Sequence, residues 1–189
     1  MIVVEFPSPY AADAQDYLNK GLALRDELKS EPLLSYCFAP HAPYTVSDKT
    51  LRQVATYAGE LDLPVHMHLH ETRREIEQSL EQHKMRPLAR LAEFGLVGPA
   101  LIAVHAVHLE RGEIELLAQH GCHVAHCPSS NLKLASGFAP IGALLAAGVN
   151  VGLGSDGAAS NNRLDIFAEM RLAALLAKGV SDDATALPA

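Results

Sequence analysis

Short apolar runs alternate with amphipathic stretches along the whole chain of 189 residues, and no other feature constrains the fold as much. Runs that read as strands lie at Ile2–Glu5, Leu33–Ala39, Pro64–Leu69, Ala100–His105, Cys122–His126 and Asn150–Gly154. Between them, Leu51, Val54, Ala55, Ala58 and Leu61 recur at helical spacing after a Ser47 N-cap, which predicts a helix over Asp48–Leu61. Ile76 and Leu80 mark another helix and Pro87 starts a short one; Ile114, Leu117 and Ala118 mark a further one closed by Gly121. Pro140 and Gly148 bracket the next, in the order helices prefer. A long last helix is expected over Arg163–Lys178, then a frayed tail over Ser181–Ala189. Alternation of this kind implies an α/β fold with a parallel sheet, either open and doubly wound or most of an eight-stranded barrel. No Gly-x-Gly-x-x-Gly follows the first strand, which removes the commonest reason to prefer the dinucleotide-binding version.

A hydrophobic content of 49% in this length supports one core, hence one domain or a large part of one. The net charge of −7 is spread along the chain, so a basic nucleic-acid footprint is not expected and a small molecule is the better partner. Three cysteines without a C-x-x-C pair fit a reduced, cytoplasmic setting. The start MIVVEFPSPY lacks the basic and apolar regions of a signal peptide, and no apolar run is long enough to predict a membrane span.

Histidine is the unusual residue. Eight of the ten, His41, His66, His68, His70, His105, His108, His123 and His126, fall within or just after an expected strand. The C-terminal rim of such strands is where parallel α/β folds build active sites. In Pro64–Glu71, His66, His68 and His70 alternate with Val65, Met67 and Leu69, so a period of two puts the three imidazoles on one face. Imidazoles in such a row favour metal binding over a half-buried strand with a wet face, and Glu71 at the strand tip is placed to move protons.

Asp156, between Gly154 and Gly157, completes a metal site or caps a helix; spacing does not choose. His105 stabilises a developing charge or is a satisfied core histidine. The polar segment after His126 contacts substrate or only connects. Cys127 precedes Pro128 with no second cysteine following, unlike the zinc deaminases that carry H-x-E and P-C-x-x-C. Neither a Gly-x-Ser-x-Gly elbow nor a P-loop is present.

Five motifs, in order and spacing, resemble the amidohydrolase-superfamily deaminases: Phe38–Tyr44, His68–Thr72, His105–His108, His126–Leu134 and Gly154–Asn162. Within that superfamily the chain is most similar to the 5-methylthioadenosine/S-adenosylhomocysteine deaminases, which stand close to the triazine chlorohydrolase-like group. The resemblance implies a (β/α)8 TIM barrel of the metal-dependent hydrolase type, of which residues 1–180 are the C-terminal two-thirds and 181–189 a tail. A whole barrel takes roughly 250 residues. The family's first strand bears His-x-His, and the only such runs here lie at His66–His70, so the first strands and the flanking β-sandwich are expected to be missing.

What the resemblance implies for chemistry is one divalent metal, usually zinc and sometimes iron, with His68 and Asp156 as ligands. The expected fourth strand of the barrel, Leu33–Ala39, ends without the lysine of two-metal relatives, hence the single ion. Glu71 is implied as proton shuttle and Asp156 as its partner in accepting the proton of water, with His105 beside the reacting carbon. His41, Ser160, Glu71 and His105 are implied to meet the substrate, an adenine nucleoside such as 5-methylthioadenosine or S-adenosylhomocysteine. The same site suits guanine deamination or triazine dechlorination. A reading of another class is an inactive fragment or non-catalytic subunit. A homo-oligomer is expected.

Overall fold

The computed structural model describes residues 1–188, and strands and helices alternate through them. The strands are β1 (Ile2–Val3), β2 (Ala39–Pro40), β3 (Val65–Leu69), β4 (Leu101–His105), β5 (His123–His126) and β6 (Asn150–Leu153), all paired in parallel. They form a two-stranded sheet, β1-β2, and a four-stranded sheet, β3-β4-β5-β6. A bridge between Phe38 and Val65 joins the two, so the order runs unbroken from β1 to β6 as an incomplete barrel. Sequential order with a crossover after each strand is the connectivity of (β/α) barrels.

The helices are α1 (Ala14–Leu28), α2 (Asp48–Leu61), α3 (Arg73–His83), α4 (Pro87–Glu93), α5 (Arg111–Gln119), α6 (Pro128–Lys133), α7 (Ile141–Ala146) and α8 (Ile166–Ser181). Local chemistry sets their ends. Ser47 and Thr72 cap α2 and α3 through the N–H of Thr50 and Glu75. Pro87 and Pro128 open α4 and α6, where a missing N–H costs nothing. The core lies between strands and helices: Val65, Met67, Leu69, Leu101, Ala103 and Val124 meet Leu51, Val54, Leu88, Leu91, Leu117 and Leu144. No helix among the described residues is long and apolar enough to cross a membrane.

Three expectations change. The strand expected over Leu33–Ala39 is reduced to Ala39–Pro40. Leu34 N–H donates to the Glu31 carbonyl in a turn at Pro32, and with so short a β1 there is no strand for Leu33 and Leu34 to pair with, leaving Leu33 96% exposed. Helix α1, which the periodicity did not mark, forms because Asp13 caps it and a narrow stripe, Tyr17, Leu18 and Gly21, is buried. The last helix begins and ends three residues later than Arg163–Lys178, started by Asp165, which accepts from the N–H of Phe167 and Ala168. Of the expected tail, Ala189 lies outside the described residues.

Leu33→Ser should therefore leave stability within about 0.5 kcal/mol, whereas Met67→Ala or Leu101→Ala, both in the core, should cost about 2–5 kcal/mol in urea unfolding. A large loss from Leu33→Ser would mean that the turn is a strand after all.

Candidate active site

The site starts from the pleat of β3. Val65, Met67 and Leu69 are buried in the core while His66 and His68 face the opposite side, half-buried, as a period of two requires. His70 does not join them. Its φ of 55° ends the strand and turns the side chain into the layer of α3 and α4, where it is fully buried. There its Nε2 accepts from Leu88 N–H at 3.0 Å and its Nδ1 faces the His108 carbonyl at 3.2 Å, so it ties β3 to two neighbouring segments. The expectation of three imidazoles on one face is thus corrected to two.

His68 stands between His41 and His105, with ring centroids 4.8 and 5.3 Å away. Each of the three has Nδ1 committed to a fixed partner: His41 to Thr45 Oγ1 at 3.0 Å, His68 to the His41 carbonyl at 2.7 Å, His105 to Asn131 Oδ1 at 2.8 Å. The Thr45 hydroxyl donates to the Ala42 carbonyl and so is left to accept. All three rings therefore carry the proton on Nδ1 and keep a lone pair on Nε2 when neutral.

Glu71 follows the His70 turn and places Oε2 3.8 Å from His105 Nε2, with Oε1 3.4 Å from the Ser136 hydroxyl. Behind it, the buried Glu75 carboxylate accepts the N–H groups of His70 and Glu71, one on each oxygen, at 2.9 and 2.8 Å. Asp156 lies beyond β6 at a φ of 59°. Its Oδ2 accepts from the hydroxyls of Ser130 and Ser160 at 2.6 Å each and its Oδ1 from Gly157 N–H at 2.7 Å. Burial pushes this carboxyl up, but the two hydroxyls and the N–H outweigh it and hold it below the usual range.

The structure thus brings His41, His68, Glu71 and His105 together, with Asp156 near enough for its charge to act on His105 and Ser160 bound to Asp156. His123 sits at the opening end of β5 against Asn150, His108 holds the Ser136 carbonyl, and His126 points into the helix layer. His68 offers a free, oriented Nε2 and Asp156 an ionised carboxylate, so both fit a metal's donor set; yet the described residues contain no group of three His, Cys, Asp or Glu that could hold an ion. Sequence reasoning missed Ser130, Asn131 and Glu75. Sequence signalled only the helix starts, by Pro128 before Ser-Ser-Asn and by Thr72 three residues before Glu75.

The chain is similar to known proteins over nearly its whole length. The profile of the Amidohydrolase family matches residues 3–189. A 5-methylthioadenosine/S-adenosylhomocysteine deaminase of Teredinibacter turnerae is 52% identical over 187 residues, which is 99% of this chain and 42% of that protein. A protein of the same description from Saccharophagus degradans is 47% identical over 98% of this chain and 42% of its own length. The chain therefore spans well under half the length of these relatives. Among solved structures, an adenosine deaminase from Xanthomonas campestris with bound zinc superposes with a TM-score of 0.96 at 51% identity, covering 99% of this chain and 43% of that one. An atrazine chlorohydrolase from Arthrobacter aurescens complexed with zinc gives 0.86 at 26% identity, over 94% and 40%.

Burial also sets the charges around the site. It pushes His70 and His126 down to about 4 and lowers His41, His66 and His105 as well. It pushes Glu75 up to about 7 against the pull of its two N–H donors. A histidine with a lowered folded pKa binds protons more readily when unfolded, so its stabilisation is complete above the ordinary 6.5 and is lost as pH falls toward the folded value. Glu75 has the opposite sign, complete below 4.5 and lost as pH rises toward 7. Across the shared window His70 and His126 outnumber it, so unfolding free energy should rise with pH, by at most about 1.4 kcal/mol per unit for the one histidine in excess. Urea unfolding at about pH 5 and about pH 6.5 checks this; equal or greater stability at the lower pH would contradict it.

Proposed function

This chain belongs to the amidohydrolase family, and from that premise we propose that it carries the later strands of a metal-dependent hydrolytic deaminase that releases ammonia from an adenine nucleoside, 5-methylthioadenosine or S-adenosylhomocysteine. The observation that carries the proposal is the meeting of His41, His68, Glu71 and His105 at one end of the sheet, with Glu71 3.8 Å from His105 Nε2. Relatives described as such deaminases, at 52% and 47% identity, support the substrate class. In this reading residues 1–180 are the C-terminal two-thirds of the barrel and 181–189 a tail.

The ion would be zinc, as in the solved adenosine deaminase, and His68 and Asp156 would be among the residues that hold it. When bound, such an ion supplies Lewis-acid chemistry that makes water a competent nucleophile near neutral pH. The protein's own groups do the rest. As water attacks the amine-bearing ring carbon, Glu71 takes one of its protons and passes it to the ring nitrogen. Asp156 takes the second from the new hydroxyl, and that proton is delivered through Glu71 to the leaving amine as the ring carbonyl forms, so that ammonia departs. His105, with its Nε2 lone pair toward Glu71, accepts a hydrogen bond from the attacking water and supports the tetrahedral carbon. His41 and Ser160 contact the nucleoside. The partners are a small-molecule substrate and, as a separate proposal, a second copy of the chain, to be read from light scattering.

Triazine dechlorination is the second reading, favoured by the likeness to the chlorohydrolase structure. Ammonia and chloride release over a panel of adenine nucleosides, guanine and chlorotriazines separates the two, and ammonia from the nucleosides is the expected result. In the zinc-loaded protein, Glu71→Gln should lower ammonia release by about 100- to 10,000-fold while metal content stays unchanged. Turnover within a few-fold of the parent would remove Glu71 from the role of proton shuttle.

A further inference from the structure

The segment after β5, for which the sequence does not choose between substrate contact and mere connection, folds as α6, and its residues reach separate parts of the site. The Ser130 hydroxyl donates to Asp156 Oδ2, Asn131 Oδ1 accepts from His105 Nδ1, and Lys133 Nζ donates to the Ala159 carbonyl and to Asn162 beside Ser160. The helix is itself anchored. Ser129 N–H donates to Glu169 Oε2 on α8 at 3.0 Å, the other oxygen of that buried carboxylate holds Asn161 Nδ2 at 2.8 Å, and the Asn131 carbonyl accepts from Ser136 N–H at 2.8 Å.

We infer that Asn131 is a positioning residue that fixes the tautomer and orientation of His105. His105 ends β4 at a φ of 72°, and Ala106 follows at 49°, so the backbone there is bent in the left-handed region and the ring needs an external hold. Asn131 is only 1% exposed, its oxygen lies 2.8 Å from His105 Nδ1, and its Nδ2 has no hydrogen-bond partner among the described residues. A buried amide with an unpaired NH2 is kept for its oxygen. As an acceptor only, that oxygen requires the proton on Nδ1, which leaves the Nε2 lone pair facing Glu71. The role in turnover rests on the deaminase reading; the role in the tautomer does not.

Two-bond 1H–15N correlation spectra of the full zinc-loaded protein, with His105 assigned from its absence in His105→Ala, read the tautomer directly. The parent should show His105 protonated on Nδ1. Asn131→Leu, which keeps the branched shape and removes the acceptor, should mix the two tautomers and lower kcat by about 10- to 100-fold with KM within about threefold. Asn131→Asp, which keeps an acceptor oxygen but puts a carboxylate where the amide was, should keep the proton on Nδ1 and raise the share of doubly protonated His105. A parent protonated on Nε2 overturns the inference whether or not the variants fold. So does an unchanged tautomer in Asn131→Leu, or a His105 in Asn131→Asp that lacks the proton on Nδ1. A parent that shows the expected tautomer but releases no ammonia counts against the deaminase reading and leaves the positioning role standing.

Discussion

The carbonyl oxygen of His41 accepts two hydrogen bonds from His68, from the backbone N–H at 3.1 Å and from ring Nδ1 at 2.7 Å. The first continues the parallel pairing across the seam between the two sheets, where Phe38 already bridges to Val65. The second fixes an imidazole. One atom thus joins the strand that brings His41 to the strand that brings His68, and it sets the nitrogen that His68 presents. Structural pairing and chemical preparation share this carbonyl, so a slip in register at the seam would undo both.

The strand ends repeat the pattern by bending. His70, His105 and Asp156 all have positive φ without being glycine, each at or just past the end of a parallel strand. Such conformations persist where surrounding bonds over-determine them. At His70 the bonds are the two N–H groups on Glu75 and the ring contacts with Leu88 and His108; at His105 it is Asn131; at Asp156 they are Ser130, Ser160 and Gly157. Because the bend at His70 sends its own side chain backward, the next residue, Glu71, comes forward toward His105.

This explains what could be read from sequence. Alternation in β3 placed His66 and His68 correctly because strand geometry has a fixed period, and the helix at Asp48–Leu61 was legible because its N-cap and apolar stripe are local. His70 was misjudged because a period of two stops applying where the strand does, and the stop is made by Glu75, a residue whose role is visible only once α3 folds back on the turn. Leu33 and Leu34 read as strand because they are apolar, but a strand needs a neighbour, and β1 is two residues long. The choice of His68 over its neighbours, and of Asp156 over an ordinary cap, came from resemblance. Asn131 sits 26 residues from His105, a distance across which no local pattern reports a contact.

The charge balance of the platform carries the argument one step further. Three Nε2 lone pairs and two carboxylates, those of Glu71 and Asp156, are directed to one end of the sheet, and burial resists protonation of His41 and His105. The surrounding cations are committed elsewhere: Arg86 to Glu113 and Glu110, Arg90 to Asp48 and the carbonyls of Pro43 and Val46, Lys133 to the loop at Ala159. Electron-rich groups held this close without a compensating side chain repel one another, and the repulsion is strongest where water is thinnest. The hydrogen bonds on each Nδ1 and on both Asp156 oxygens keep the groups from turning away. In the deaminase reading a positive charge beside His68 and Asp156 would relieve that repulsion, and the second partners of each donor keep the groups in place to meet it.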